Sequence, residues 1–183
     1  RRVINANADL RLKITDSVID DEAYALYERY IMEKHADGDM FPPDREQYES
    51  FLNNSLGCTQ YFRLYDKDRL VCVAVSDQML DGLAAIYTFY DPNLDKRSLG
   101  TFAVLLQISH AKKLGLPYVY LGYWIDGCRK MSYKTRFKPL EMLSNGRWHG
   151  DGDSSTSGLS TIPVVNVSRD DIVIVVMPVP RRE

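Results

Sequence analysis

The sequence predicts an α+β domain with a mixed sheet flanked by helices, on three observations. Apolar residues at helical spacing mark two helices in the first third and another past the middle. Between them lie three short strand-like runs separated by turn chemistry, the pattern of an antiparallel meander. After the later helix comes Tyr118-Val119-Tyr120-Leu121-Gly122-Tyr123-Trp124-Ile125, an apolar aromatic run that reads as a buried strand. Strand, helix, strand implies a parallel crossover, so the sheet must be mixed.

In order, Arg11-Leu12-Lys13-Ile14 alternates and reads as the first strand. From Asp20 to about His35, Ala23, Leu26, Tyr27, Tyr30 and Ile31 form one stripe, with Asp20, Asp21 and Glu22 where a helix start favours negative charge. Asp37-Gly38-Asp39 and Pro42-Pro43 break that pattern. Asp44 with Gln47 three residues later makes a capping box for a second helix carrying Tyr48, Phe51 and Leu52, expected to close at Gly57. The meander runs are Gln60 to Tyr65, Leu70 to Ser76 and Leu83 to Tyr90, divided by Asp66-Lys67-Asp68 and Asp81-Gly82. Asp91-Pro92-Asn93 turns into a helix from Ser98 to Leu114, which Gly115 and Pro117 end. A short helix at about Arg129 to Thr135 and a strand near Leu140 to Leu143 follow the aromatic strand. Residues 150–183 are expected as a flexible tail in which Ile172-Val173-Ile174-Val175-Val176 adds an edge strand, leaving 1–149 as one domain.

Composition narrows the function. At 183 residues and 45% hydrophobic, the chain can bury one substantial core. A formal net charge of -2 gives no global attraction to nucleic acid, so an anionic partner must be held by local patches. Cys58, Cys72 and Cys128 are widely spaced and odd in number, which argues against a disulfide framework or a self-contained zinc site and fits a reducing cytoplasm. The expected partners do not include a membrane, because neither a long apolar span nor a signal peptide is apparent. Arg1-Arg2-Val3 lacks a Met, and the expectation is a piece of a longer polypeptide.

Three constellations carry chemistry. Arg97-Ser98-Leu99-Gly100-Thr101 opens a helix, where free amides and the dipole hold phosphate or a carbonyl oxygen; the same residues also serve as a plain cap. The element order matches the GNAT-like acyltransferase fold. Arg97 and Gly100 fit the pyrophosphate loop of that fold, whereas Phe102 stands where it has a small residue. The second constellation is cationic: Arg129, Lys130, Lys134, Arg136 and Lys138, interleaved with Met131, Tyr133 and Phe137. Such runs are commonly solvated faces, but the end of a parallel strand is also a favoured crevice for ligands. The third comprises Tyr87, Tyr90, Asp91, Tyr120, Tyr123 and Glu141, where a carboxylate or phenol is a candidate to hold an amine or take its proton. His35, His110 and His149 have no ligand spacing, so metal and covalent catalysis are unsupported and no metal residue is assigned.

Tyr90-Asp91-Pro92, Arg97 to Thr101, Leu114 to Ile125, Cys128, Lys130-Met131, and Tyr133-Lys134 through Pro139-Leu140-Glu141 together resemble the carboxy-terminal domain of the aminoacyl-tRNA–protein transferases. The resemblance is strongest to the bacterial aspartate/glutamate leucyltransferases, relatives of the arginyltransferases; it covers about 1–149 and omits that family's amino-terminal region with paired cysteines. It implies leucine transfer from leucyl-tRNA to proteins beginning with Asp or Glu, making an N-degron, with aminoacyl-tRNA as co-substrate and no other cofactor. The alternatives are an arginyl donor or a non-catalytic N-degron or tRNA-binding module. Attack of an amine on an activated ester needs orientation, an oxyanion stabiliser and a proton route. Asp91, Tyr90 and Tyr123 are therefore the catalytic candidates. Arg97, Ser98, Leu99, Gly100 and Thr101 are expected to face the aminoacyl-tRNA, and Lys130, Tyr133, Lys134 and Arg136 the acceptor's first residue.

Overall fold

A short acidic side chain starts each of the two early helices. In the computed structural model, Asp20 Oδ1 accepts the Ala23 amide at 2.9 Å ahead of helix α2 (Asp21–Lys34), and Asp44 Oδ1 accepts the Gln47 amide at 2.7 Å ahead of α3 (Arg45–Phe51). One further turn, α1 (Arg2–Asn5), precedes them. The structure describes residues 1–54, 56–125, 128–144 and 147–150, and the backbone of 165–166 and 173–178. It divides into two compact units, Arg1–Gln78 with Ile86–Leu106, and Met79–Ala85 with Gln107–Glu183.

In the first unit, α3 stops at Phe51 rather than reaching toward Gly57. Asn54 is the reason: its Oδ1 accepts the Thr59 amide at 2.9 Å, and its Nδ2 donates to the Asp16 and Thr59 carbonyls at 3.2 and 3.0 Å. A side chain that satisfies local backbone in this way competes with continuation of the helix. Gly57 serves the following turn instead, at φ 69. Strands β1 (Arg11–Thr15), β2 (Thr59–Asp66), β3 (Arg69–Gln78) and β4 (Gly82–Tyr90) are neighbours in that order, β4 entering this unit with its second half. β1 and β2 pair antiparallel through Leu12↔Leu64, and β2 and β3 through Tyr61↔Val75. The expected meander is therefore present. The helical stripe read from the sequence meets β3 and β4 in the core, where Leu26, Tyr27, Ile31, Tyr48, Val73 and Phe89 are all buried. Each fully buried Leu, Ile or Phe contributes about 1.5–3 kcal/mol. The Tyr27 and Phe89 rings add an edge-on contact at 5.7 Å.

In the second unit, β5 (Tyr118–Trp124) runs parallel to the first half of β4, with Leu83↔Val119 in register. A Cβ on Gly82 would stand 2.7 Å from the Tyr118 carbonyl oxygen and from Tyr120 Cε2, so this close approach requires glycine. β5 is not buried throughout, as its aromatic content suggested. Val119 and Leu121 are buried, but Tyr123 is 62% exposed, as a phenol, with its polar hydroxyl, tolerates water. The expected helix at 129–135 is instead two separate 3-10 turns, Arg129–Met131 and Lys134–Arg136. Lys130 and Lys134 consequently do not share an α-helical face.

The remaining strands are β6 (Phe137–Lys138), β7 (Leu140–Ser144), β8 (Arg147–Gly150), β9 (Val165–Asn166) and β10 (Val173–Pro178). β10 is no edge strand. It lies between β5 and β7, parallel to both, with Ile174 opposite Val119 and Leu140. An uninterrupted apolar run is the pattern of an interior parallel strand. Because β7 and β8 pair antiparallel, this unit alone has a mixed sheet, in the order β4-β5-β10-β7-β8. The rest of the expected tail lies outside the described residues. Strand, two helices, meander, helix and parallel strand follow one another in the order read from the sequence, giving an α+β fold.

Candidate functional site

The site residues expected from the sequence fall in both units, and each group has its own geometry. In the first unit a 3-10 turn, Pro92–Arg97, separates β4 from the long helix α4 (Leu99–Leu114). Asp91 builds that turn. It is 2% exposed, its Oδ1 accepts the Asn93 amide at 3.0 Å, and its Oδ2 accepts from Arg69 Nη1 at 2.9 Å. Both oxygens are engaged, which suits a residue that fixes the backbone better than one that collects a substrate proton. Ser98 follows in the left-handed region at φ 53, ψ 49, and this reversal lets α4 start in a new direction.

The sixteen-residue α4 thus begins with the amides of Leu99, Gly100 and Thr101, which have no partner within the helix. Leu99 and Phe102 bury their side chains at 1% and 8% exposure, so the helix start offers backbone rather than apolar side chains. A Cβ at Gly100 would meet Tyr90 Cε1 at 3.5 Å, an ordinary van der Waals contact. Such a terminus holds an anion or a developing oxyanion. Tyr90 therefore stands beside the first turn of α4. Burial pushes its phenol above the ordinary value, and the Tyr30 ring lies 5.0 Å from its own.

Arg97 has a different placement from the rest of its motif. Its guanidinium forms two bonds to Asp9, at 3.0 and 2.8 Å, and approaches Asp66 at 3.8 Å. The hydrogen bond from Arg97 holds the Asp9 carboxyl below the usual range. Asn7, 1% exposed, donates to the Arg97 and Val3 carbonyls at 2.8 Å each. Sequence reasoning passed over Asn7, Asp9 and Arg69. Each acts across a long separation in the chain, and no local spacing signals such a contact.

The second unit holds Tyr123, Lys130, Tyr133, Lys134 and Arg136. Gly122 turns through φ 73, and the carbonyl of exposed Tyr123 accepts from Lys134 Nζ at 2.6 Å. Loss of hydration lowers the proton affinity of this half-buried ammonium. Lys130 and Arg136 are exposed on their 3-10 turns, and Tyr133 is half-buried between them. A carbonyl-anchored, partly desolvated ammonium, with Lys130 and Arg136 exposed nearby in the chain, is a candidate for recognition of a carboxylate.

The family model described as Arginine-tRNA-protein transferase, C terminus matches residues 22–144. The chain belongs to this family. Aspartate/glutamate leucyltransferase of Stutzerimonas stutzeri is 49% identical to this family member over 148 residues, covering 81% of the chain and 63% of the relative. The protein of the same name from Alcanivorax borkumensis is 46% identical over 158 residues, covering 86% and 65%. The transferase-family chain thus spans less than two thirds of the length of these curated relatives. Among solved structures, the ribosomal-protein-S18-alanine N-acetyltransferase from Escherichia coli aligns over 58% of this chain and 63% of its own, at 19% identity and a TM-score of 0.43.

Proposed function

We propose that this chain serves leucyl-tRNA-dependent transfer of leucine to proteins beginning with Asp or Glu, in the cytoplasm, where the product marks them for N-degron proteolysis. What carries the reading is nearly half identity to relatives named for that activity, through the segments where the candidate residues lie. The acceptor's neutral α-amine attacks the ester carbonyl of leucyl-tRNA. The carbon–nitrogen bond forms, the bond to the ribose oxygen breaks, and the chain needs no covalent intermediate of its own. Leu99, Gly100 and Thr101 are assigned to the oxyanion, through amides oriented before reaction. Ser98 and Arg97 belong to the same aminoacyl-tRNA segment, with Arg97 supporting the loop through Asp9. Tyr90 is assigned to the amine, and Asp91 to holding the turn between them. In the other unit Lys134, with Lys130, Tyr133 and Arg136, is assigned to the acceptor's carboxylate, and Tyr123 to anchoring Lys134 through its carbonyl.

A second reading, arginyl transfer, is favoured by the description of the family itself. One experiment separates the two and also tests a non-catalytic module. Peptides beginning with Asp, Glu or Ala are supplied with leucyl-tRNA or arginyl-tRNA, and the product mass is measured. Leucine on the Asp and Glu peptides alone supports the proposal. Arginine instead supports the second reading, and binding without any product supports the third.

A further inference from the structure

We propose that Asn7 is a positioning residue for transfer, holding the Arg97–Ser98 peptide so that α4 presents its first amides to the reacting ester. This rests on the reading that those amides serve leucine transfer. Ser98 links the Pro92–Arg97 turn to α4: its amide donates to the Asp95 carbonyl at 3.1 Å, closing the turn, and its carbonyl accepts the Phe102 amide at 3.0 Å, opening the helix. At φ 53 this residue stands in the left-handed region, where a Cβ crowds the following carbonyl oxygen. Such a conformation persists only where the surrounding structure over-determines it. Lys67, the other described non-glycine residue at positive φ, sits in the tight turn between β2 and β3, which itself favours that conformation. Ser98 has no hairpin around it, and its support comes from 90 positions earlier in the chain.

Asn7 is 1% exposed, and its Nδ2 donates at 2.8 Å to the Arg97 carbonyl and at 2.8 Å to the Val3 carbonyl. The Arg97 carbonyl and the Ser98 amide belong to one planar peptide. Asn7 at one edge and the Asp95 carbonyl at the other therefore fix the plane from which the Ser98 φ is set. Asp9 adds two bonds to the Arg97 guanidinium, so one short segment grips residue 97 by backbone and side chain. Asn7 Oδ1, in contrast, is buried without a hydrogen-bond partner among the described residues. An orphaned acceptor detracts from stability, so this side chain suits aiming a peptide better than stabilising a fold. All of these residues lie in the first unit. Freed of the grip, Ser98 relaxes toward negative φ, and the amides of Leu99, Gly100 and Thr101 lose the alignment before reaction on which oxyanion stabilisation depends. Because the oxyanion develops only as the ester is attacked, the loss falls on kcat rather than on the peptide's KM.

The test is a double-mutant cycle in leucine transfer to an Asp-starting peptide under saturating leucyl-tRNA, with the unfolding midpoint and Phe102 amide exchange measured on the same chains. Asn7→Ala should lower kcat at least about 10-fold, leave the peptide's KM within about twofold, and speed exchange of the Phe102 amide. Glycine adopts positive φ as readily as negative, so the same Asn7→Ala change in the Ser98→Gly background should lower kcat less than about threefold. Its effect on the unfolding midpoint should be equal in the two backgrounds, since the buried bonds of Asn7 are lost in both. Should Asn7→Ala not fold, Asp9→Ala takes its place: at a side chain 55% exposed it releases the Arg97 guanidinium. That variant should slow transfer at least about threefold, and Ser98→Gly should abolish the difference. Equal kcat losses in the two backgrounds, or unchanged Phe102 exchange, overturns the positioning role alone. No transfer by the unaltered chain overturns the functional reading and the role in transfer with it, while Phe102 exchange still reads the grip separately.

Discussion

Replacing Asp91 by Asn separates a turn-building role from a chemical one. Asn caps a helical turn about as well as Asp, so the Asn93 amide keeps its acceptor. The other oxygen becomes an NH2 that points at the Arg69 guanidinium, donor against donor. A charge-assisted bond is worth about 1.5–3 kcal/mol, but the Arg69 side chain is 55% exposed, and screening reduces its share to about 1 kcal/mol. The buried amide left without an acceptor, at a position 2% exposed, adds about 1–2 kcal/mol. The sum is about 2–3 kcal/mol, or roughly 4–12 °C in Tm for a chain of this length. Urea and thermal unfolding measure it. Arg69→Met should destabilise as well, by leaving the carboxylate one partner short, and the double variant should fall short of the sum by about 1 kcal/mol. If Asp91→Asn keeps the parent Tm within about 1 °C yet slows transfer roughly 100-fold, the turn-building argument is refuted and Asp91 acts in the chemistry.

Three further outcomes are expected. Lys134→Met should cost about 2 kcal/mol, roughly 30-fold in kcat/KM, for peptides beginning with Asp or Glu, and equal losses for every acceptor would remove it from carboxylate recognition. Burial raises the Asp20 carboxyl, but bonds from Arg63 and the Ala23 amide outweigh that effect and hold it below its ordinary value. Its stabilising contribution is therefore present above about pH 4 and fades as pH falls through the depressed value; urea midpoints should drop less on acidification in Asp20→Asn than in the parent. Gly82→Ala forces a Cβ onto the Tyr118 carbonyl oxygen, so amides of 118–120 should exchange faster with solvent, and unchanged protection would show that β4 can shift without losing its register.

Local pattern alone sufficed wherever an element answers to its own residues. The stripe from Ala23 to Ile31, the Asp20 and Asp44 caps, the meander and the helix after Ser98 each carry their signal within one or two turns of chain. The family resemblance was legible for the same reason, being contiguous motifs in order. Tertiary structure decided what depends on distant partners. It ended α3 early through Asn54, placed β10 between β5 and β7, and broke the 129–135 segment into two turns. It also gave the Arg97 guanidinium to Asp9 and engaged both Asp91 oxygens, one with the Asn93 amide and one with Arg69. A side-chain bond between residues 88 apart, such as Arg97 to Asp9, has no periodicity in the sequence; only the folded backbone brings the two groups to hydrogen-bonding distance.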